Sequence, residues 1–324
     1  MPEPQQWSFQ EALQPKADET EFDLTRALDA MVMVRAEVPA DGFTAATLGT
    51  DRGGYGAVIR EDGLVLTIGY LINEASQIWL TSNRGAVVEG YRVGYDQATG
   101  FGLIQPLGKL DAPHLSRGLA SDVKVGDPAF VIGHGGIAHA LKTRVIEKRE
   151  FAGSWEYVLD EALFTSPAHP QWGGAALLDA QGRLIGIGSL LVQQEVEGVA
   201  VHANMFVPVD LLAPILDAML QTGRSPHPPH PWLGMSTQDH EDRLVVGSVS
   251  PGGPAERAGV QPGDAVLKVG GVRVAGLAEM LRSAWRLGAA GVEVPLTVSR
   301  GGDVLQFTVK SADRTDFLKK PNLH

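Results

Sequence analysis

The stretch "GSVSPGGPAERAGVQPGDAVLKVGGVRV", Gly247–Val274, decides how the C-terminal part of the chain is read. Pro254 opens and Gly259 closes a short helix over "PAERAG", because proline suits a first helical turn and glycine a left-handed end. "RLVVGSVS" before it and "AVLKVGG" after it read as strands. Further on, "GLAEMLRSAWRLG" (Gly276–Gly288) reads as a second helix. "VEVPLTVSRGGDVLQFTVK" reads as a hairpin turning at Arg300-Gly301-Gly302. These elements make one small unit over residues 232–313, with a C-terminal tail over 314–324.

Upstream of this unit, "RSPHPPHPW" holds four prolines in nine residues. Such a segment is stiff and extended and cannot join a sheet centrally, so residues 224–231 are expected to be a linker. His227 and His230 stand three apart there. The prolines forbid the helix that would bring them to one face, so they are expected to be solvated, and no metal or cofactor is expected. "VDLLAPILDAMLQTG" (Val209–Gly223) reads as one helix with a glycine stop.

From Asp23 to about residue 208 the pattern is β. Leu24, Leu28 and Met31 stand at helical spacing, and Val32, Val34, Ala36 and Val38 then alternate as a strand. "YGAVIREDGLVLTIGYLI" is two strands joined at Glu61-Asp62-Gly63, and "QIWLTSNRGAVVEGYRVGYD" two more. Many short strands at regular spacing predict an all-β sandwich or barrel over residues 21–223. Residues 1–20 are polar and acidic and are expected to be a flexible tail.

Acidic residues outnumber basic ones, 38 to 27, for a net charge of −11. Phosphate binding needs a basic face, so nucleic acid is not expected as a partner. No run of apolar residues is long enough to insert in a membrane. The N-terminus lacks the basic start and apolar core of a secretory signal. The compartment stays open: cytoplasmic as written, periplasmic if a signal has been removed. With no cysteine in the chain, disulfides and thiolate catalysis are absent.

The C-terminal unit resembles a PDZ domain, on "WLGM" (Trp232–Met235) and on Gly247–Val274 together. That resemblance implies a Leu-Gly loop whose backbone N–H groups hold a peptide's terminal carboxylate. Beside it would lie an open strand edge to which the peptide adds, walled by the second helix. Leu233, Gly234, Met235, Met280 and Ala284 are the groove residues it implies.

A trypsin-like domain followed by one PDZ domain is similar to the HtrA/Deg serine proteases, from about Leu24 to Ala312. The resemblance implies a mostly β chain, with a double β-barrel followed by a small α+β PDZ domain. Three motifs of that family carry its catalytic triad. The histidine motif matches "GLVLTIGYLI" (Gly63–Ile72) and places Tyr70 at the histidine. The aspartate motif matches "DQATGFGLI" (Asp96–Ile104) and places Gly100 at the aspartate. The serine motif matches "PQWGGAALL" (Pro170–Leu178) and places Trp172 at the serine.

In the serine mechanism a hydroxyl attacks, an imidazole takes its proton and a carboxylate orients the imidazole. Trp172 has only an N–H donor, Tyr70 is a poor base at neutral pH and Gly100 has no side chain. Pro170 stands where the motif's glycine would lend an N–H to the oxyanion, and proline has none. Trp172 and Tyr70 are expected to plug the cleft between the barrels.

The expectation from these residues is that the chain is not an enzyme. It would be a pseudoprotease that binds extended peptides or protein C-termini and acts as a scaffold or regulator. The alternative is an active HtrA-type endopeptidase with a rearranged site, for which Ser166, Thr165, His169 and His134 are the nearby candidates. Asp160 and Glu161 are adjacent carboxylates on a strand and point apart, so they form no acid–base pair. The resemblance further implies a homo-trimer, or co-assembly with a relative, through N-terminal residues such as Trp7, Phe9, Phe22 and Leu24.

Overall fold

Alternation of apolar and polar residues along six strands curls the first half of the chain into a closed antiparallel barrel. The computed structural model describes residues 7–320 apart from 197, 241 and 242. The strands are β1 (Met31–Glu37), β2 (Asp51–Val58), β3 (Val65–Ile68), β4 (Gln77–Ser82), β5 (Val87–Tyr95) and β6 (Phe101–Pro106). Their order is β1-β2-β3-β6-β5-β4, closed by pairing of β1 with β4. Val32, Val34 and Ala36 are fully buried, as their alternation predicts. Ahead of β1 lies α1 (Leu24–Asp29), whose first turn is capped by the Asp23 carboxylate accepting from the Arg26 amide at 2.9 Å. A single turn, α2 (Ala45–Leu48), precedes β2.

The second barrel repeats the plan with β7 (Pro128–Ile132), β8 (Leu141–Gly153), β9 (Tyr157–Ser166), β10 (Ala176–Leu178), β11 (Leu184–Val196) and β12 (Val199–Pro208), in the order β10-β11-β12-β9-β8-β7. The helix expected over Val209–Gly223 divides. A 3-10 turn spans Val209–Leu212 and α3 runs from Leu216 to Thr222, stopped by Gly223 at φ 73°. Pro214 sits at the break, where its missing N–H and its ring prevent continuous α-helical bonding.

The segment expected to be a flexible tail has structure from Trp7 onward; residues 1–6 lie outside the described part. Residues Glu11–Leu13 form a 3-10 turn, and the Phe9 amide donates to the Ala138 carbonyl at 2.9 Å. The Trp7 ring meets His139 and His169 edge-on, with centroids 4.3 and 5.5 Å apart. Phe22 packs on Phe130, and Leu24 is buried. The four residues named above for assembly are thus engaged within their own chain.

The C-terminal sheet is built from β13 (Met235–His240), β14 (Arg243–Val249), β15 (Ala265–Val269), β16 (Val272–Arg273), β17 (Glu293–Arg300) and β18 (Asp303–Lys310). Its order is β13-β14-β15-β17-β18, with β16 paired to β15. Two helices accompany it, α4 (Pro254–Ala258), with Pro at its start and Gly259 at φ 91°, and α5 (Leu277–Trp285). Compactness divides the chain into two units. One gathers the described residues up to Arg149 with Glu161–Pro226. The other gathers His227–Lys319 with Glu150–Asp160, the tip of the β8–β9 hairpin.

Candidate functional site

Tyr70, Gly100 and Trp172, the positions expected for the triad, come together between the two barrels. Tyr70 lies in a 3-10 turn, Gly69–Leu71, directly after β3. Gly100, at φ 77°, closes the turn before β6, and its carbonyl accepts from the Gly69 amide at 2.7 Å. Asp96 stabilises that turn by accepting from the Thr99 amide and hydroxyl at 2.8 and 2.7 Å. Trp172 leads into a turn in which Ala175 N–H donates to the Trp172 carbonyl at 3.0 Å. Gly174 N–H, at φ 75°, donates to the Gly188 carbonyl at 2.9 Å. A Cβ at Gly174 would stand 1.9 Å from the Tyr55 carbonyl oxygen, so only glycine fits between the barrels there.

Tyr70 and Trp172 are both half-buried. The Tyr70 phenol donates to the Ser189 carbonyl at 3.0 Å and stands beside the Trp172 side chain. Burial holds the phenol's proton well above the ordinary tyrosine range, so Tyr70 stays neutral and cannot act as a base. Two further bonds join the barrels beside this pair. The Tyr55 amide donates to the Gly173 carbonyl at 2.8 Å, and the Tyr55 phenol bonds to the Gln171 side chain.

The candidates for a substitute site do not pair. The Ser166 hydroxyl donates to the His202 carbonyl at 3.1 Å rather than to His169. His169 is fully buried. Its Nδ1 accepts from the Gln171 amide at 3.0 Å and its Nε2 faces the His139 carbonyl at 2.9 Å, so both ring nitrogens are committed. Desolvation, only partly offset by those bonds, lowers its pKa to about 4. Thr165 is buried with its hydroxyl unpartnered, and His134 Nε2 faces the Ser82 carbonyl at 3.4 Å. Asp160 and Glu161 bond to different cations, Arg282 and Lys148. Among the described residues no His, Cys, Asp or Glu cluster could hold a metal. His227 is exposed, and His230 stacks on Trp285 with ring centroids 4.2 Å apart.

In the second unit, the loop before β13 has the geometry of an anion cradle. Gly234 at φ 74° turns the chain so that three successive amides face one point. Leu233 N–H donates to Glu156 Oε2 at 2.8 Å. Gly234 and Met235 N–H donate to Glu156 Oε1 at 2.6 and 3.2 Å. Leu233, Met235, Met280 and Ala284, the expected groove residues, all lie in the buried core of this unit, against which Ala152 and Val158 also pack. Glu156 was invisible to sequence reasoning. The one local signal was a non-glycine residue in the turn "GSWEY", where it takes φ 63°.

A trypsin-like peptidase domain profile matches residues 54–187, and a PDZ domain profile matches residues 231–311. The chain is 26% identical to serine endoprotease DegS of Haemophilus influenzae, over 79% of this chain and 76% of the relative. It is 28% identical to serine protease PepD of Mycobacterium tuberculosis, over 81% of this chain and 61% of the relative. The solved structure of HtrA-type protease AlgW with tripeptide superposes with a TM-score of 0.53 at 18% identity, over 89% of this chain and 95% of that one. The serine endoprotease from Yersinia pestis gives 0.52 at 22% identity with the same coverage. These relatives correct one expectation. From three side chains the chain was expected not to be an enzyme, but proteins similar to it across both domains are named serine endoprotease or serine protease and point to an enzyme.

Proposed function

We propose that the chain, which like the HtrA-type serine proteases carries a trypsin-like peptidase domain and one PDZ domain, binds extended peptides by their C-terminal carboxylate at the PDZ domain and is regulated through that site. One observation supports this above the others. Three consecutive amides, of Leu233, Gly234 and Met235, converge within 2.6–3.2 Å on a single carboxylate. Charge-assisted bonds of this kind discriminate an ionised terminus from an amidated one. The test uses the full chain and a pool of decapeptides randomised at their last three positions. Retention of the free-carboxylate pool, and not of its amidated counterpart, is expected. Equal retention of both would remove the reading.

For the protease domain the proposal is an endopeptidase of the HtrA type with a non-standard site, which the names of the relatives support. Tyr70, Gly100 and Trp172 offer no nucleophile, base or orienting carboxylate, so hydrolysis requires a nucleophile elsewhere in the domain. Ser166 and His169 do not form such a pair in this conformation. Casein hydrolysis with fluorophosphonate labelling and peptide mapping would name the nucleophile. No hydrolysis and no labelled residue would remove this proposal. Assembly as a trimer, or with a relative, is proposed from family resemblance and is read by light scattering on the purified chain.

A further inference from the structure

The carboxylate cradle of the PDZ domain is filled by the chain itself. Glu156 lies at the tip of the β8–β9 hairpin, 77 residues ahead of Leu233 in sequence. Its carboxylate is buried and takes all three amides of the cradle. The backbone at Glu156 is left-handed, φ 63°, a conformation that glycine or asparagine adopts with less strain. A charged residue held there, buried and pointed into an anion site, indicates that the carboxylate itself is what the turn serves to place.

The rest of the tip behaves as a ligand would. Ala152 and Val158 pack on the core cluster that contains Met235, Met280 and Ala284. Arg282 of α5, the helix that would wall a peptide groove, bonds to both Glu150 and Asp160 on the two sides of the tip. Trp155 stacks on Tyr157 with ring centroids 5.8 Å apart, and Phe151 meets Trp155 at a tilt and Tyr157 edge-on. The tip thereby reproduces what the cradle asks of a peptide: a carboxylate at the loop, apolar side chains on the core, and polar groups toward α5.

We infer that Glu156 is an internal ligand of the PDZ carboxylate site, and that a peptide's C-terminal carboxylate enters by displacing it. The inference rests on the peptide-binding reading above. Because Glu156 is tethered, it competes as an intramolecular ligand at high effective concentration, and an incoming peptide must overcome that advantage. The cradle itself needs no rearrangement, since its amides already face an anion.

The test compares the full chain with Glu156→Gly, which removes the carboxylate while suiting the left-handed turn. The probe is the same randomised decapeptide pool, free or amidated. The variant is expected to retain the free-carboxylate pool about tenfold more tightly than the parent, with no gain for the amidated pool. Arg282→Ala, which loosens the tip without touching cradle or carboxylate, is expected to give a gain of about two- to threefold. Amide exchange at residues 233–235 should quicken in Glu156→Gly and slow again when the free-carboxylate pool is added. Carboxylate-dependent binding of equal strength in parent and variant would overturn the internal-ligand inference and leave the peptide-binding reading standing. Retention of neither pool by parent or variant would remove that reading, and this inference with it.

Discussion

Two loops of this chain are occupied by its own side chains, and they are occupied differently. At residues 169–174 the occupant is part of the loop. Trp172 stands at the position expected for the serine, beside Tyr70, and Pro170 contributes no backbone N–H. At residues 233–235 the loop is untouched and the occupant, Glu156, comes from another part of the sequence. The first filling is a change in the loop's own chemistry. The second leaves every donor in place and merely engages it. A loop whose donors survive can exchange one carboxylate for another; a loop whose backbone N–H is missing cannot recover it by moving.

The comparison is sharpened most strongly at Gly174. If the barrel loop is as fixed as its packing implies, Gly174→Ala destabilises the protease unit by about 3 kcal/mol or more, since the added methyl meets backbone at a positive φ. Urea denaturation followed by near-UV signal reads this. A loss below about 1 kcal/mol would mean the loop yields as readily as the hairpin tip.

His169 gives the next effect, through pH. Its folded pKa, about 4, lies below the ordinary value of 6.5 because burial disfavours the imidazolium. The unfolded chain therefore takes up a proton that the folded loop refuses. Stability is fully present above pH 6.5 and is lost as pH falls toward 4, by of order 3 kcal/mol in all. His169→Gln should flatten the denaturation midpoints across that window. An unchanged slope would show that some other group carries the acid sensitivity.

Tyr70→Phe is expected to cost about 1–2 kcal/mol, leaving the Ser189 carbonyl without its phenol donor between the barrels. No measurable change would show that the side chain fills space without bonding. The smallest effect belongs to the exchangeable seat. Burial raises the Glu156 carboxyl to about 7, against the bonds from Leu233, Met235 and Gly234 and the charge of Arg314. The other charged groups of the tip are Glu150 and Asp160, both paired with Arg282. A seated glutamate holds its proton more tightly than a released one. The seat is therefore favoured below the ordinary carboxyl value of 4.5 and weakens as pH rises through 7. Retention of the free-carboxylate pool by the parent chain, taken relative to Glu156→Gly, should rise several-fold from pH 5 to pH 8. A flat relative profile would break the distinction between the two loops on this point.

Much of the architecture was legible because it is local. The alternation at Val32, Val34 and Ala36, the turn at Glu61-Asp62-Gly63 and the helix ends at Pro254 and Gly259 each follow from a residue's own backbone preference. The motif frames around Tyr70, Gly100 and Trp172 rest on local sequence in the same way, as an expectation from resemblance. What those three substitutions mean for activity was overread, because they describe three positions while the family relatives match across both domains. Pro214 was a local signal too, and its break in the expected helix follows from its missing N–H.

The amino-acid order alone determined the strands, the turns and the two domain types. Each of these depends on periods and φ preferences spanning a few residues. Only tertiary structure decided that Trp7 packs on His139 and His169, that the Tyr70 phenol donates to the Ser189 carbonyl, and that Glu156 fills the cradle of Leu233, Gly234 and Met235. Those contacts join segments tens of residues apart or more. No local preference specifies them, because burial and hydrogen-bond satisfaction are settled when distant segments meet.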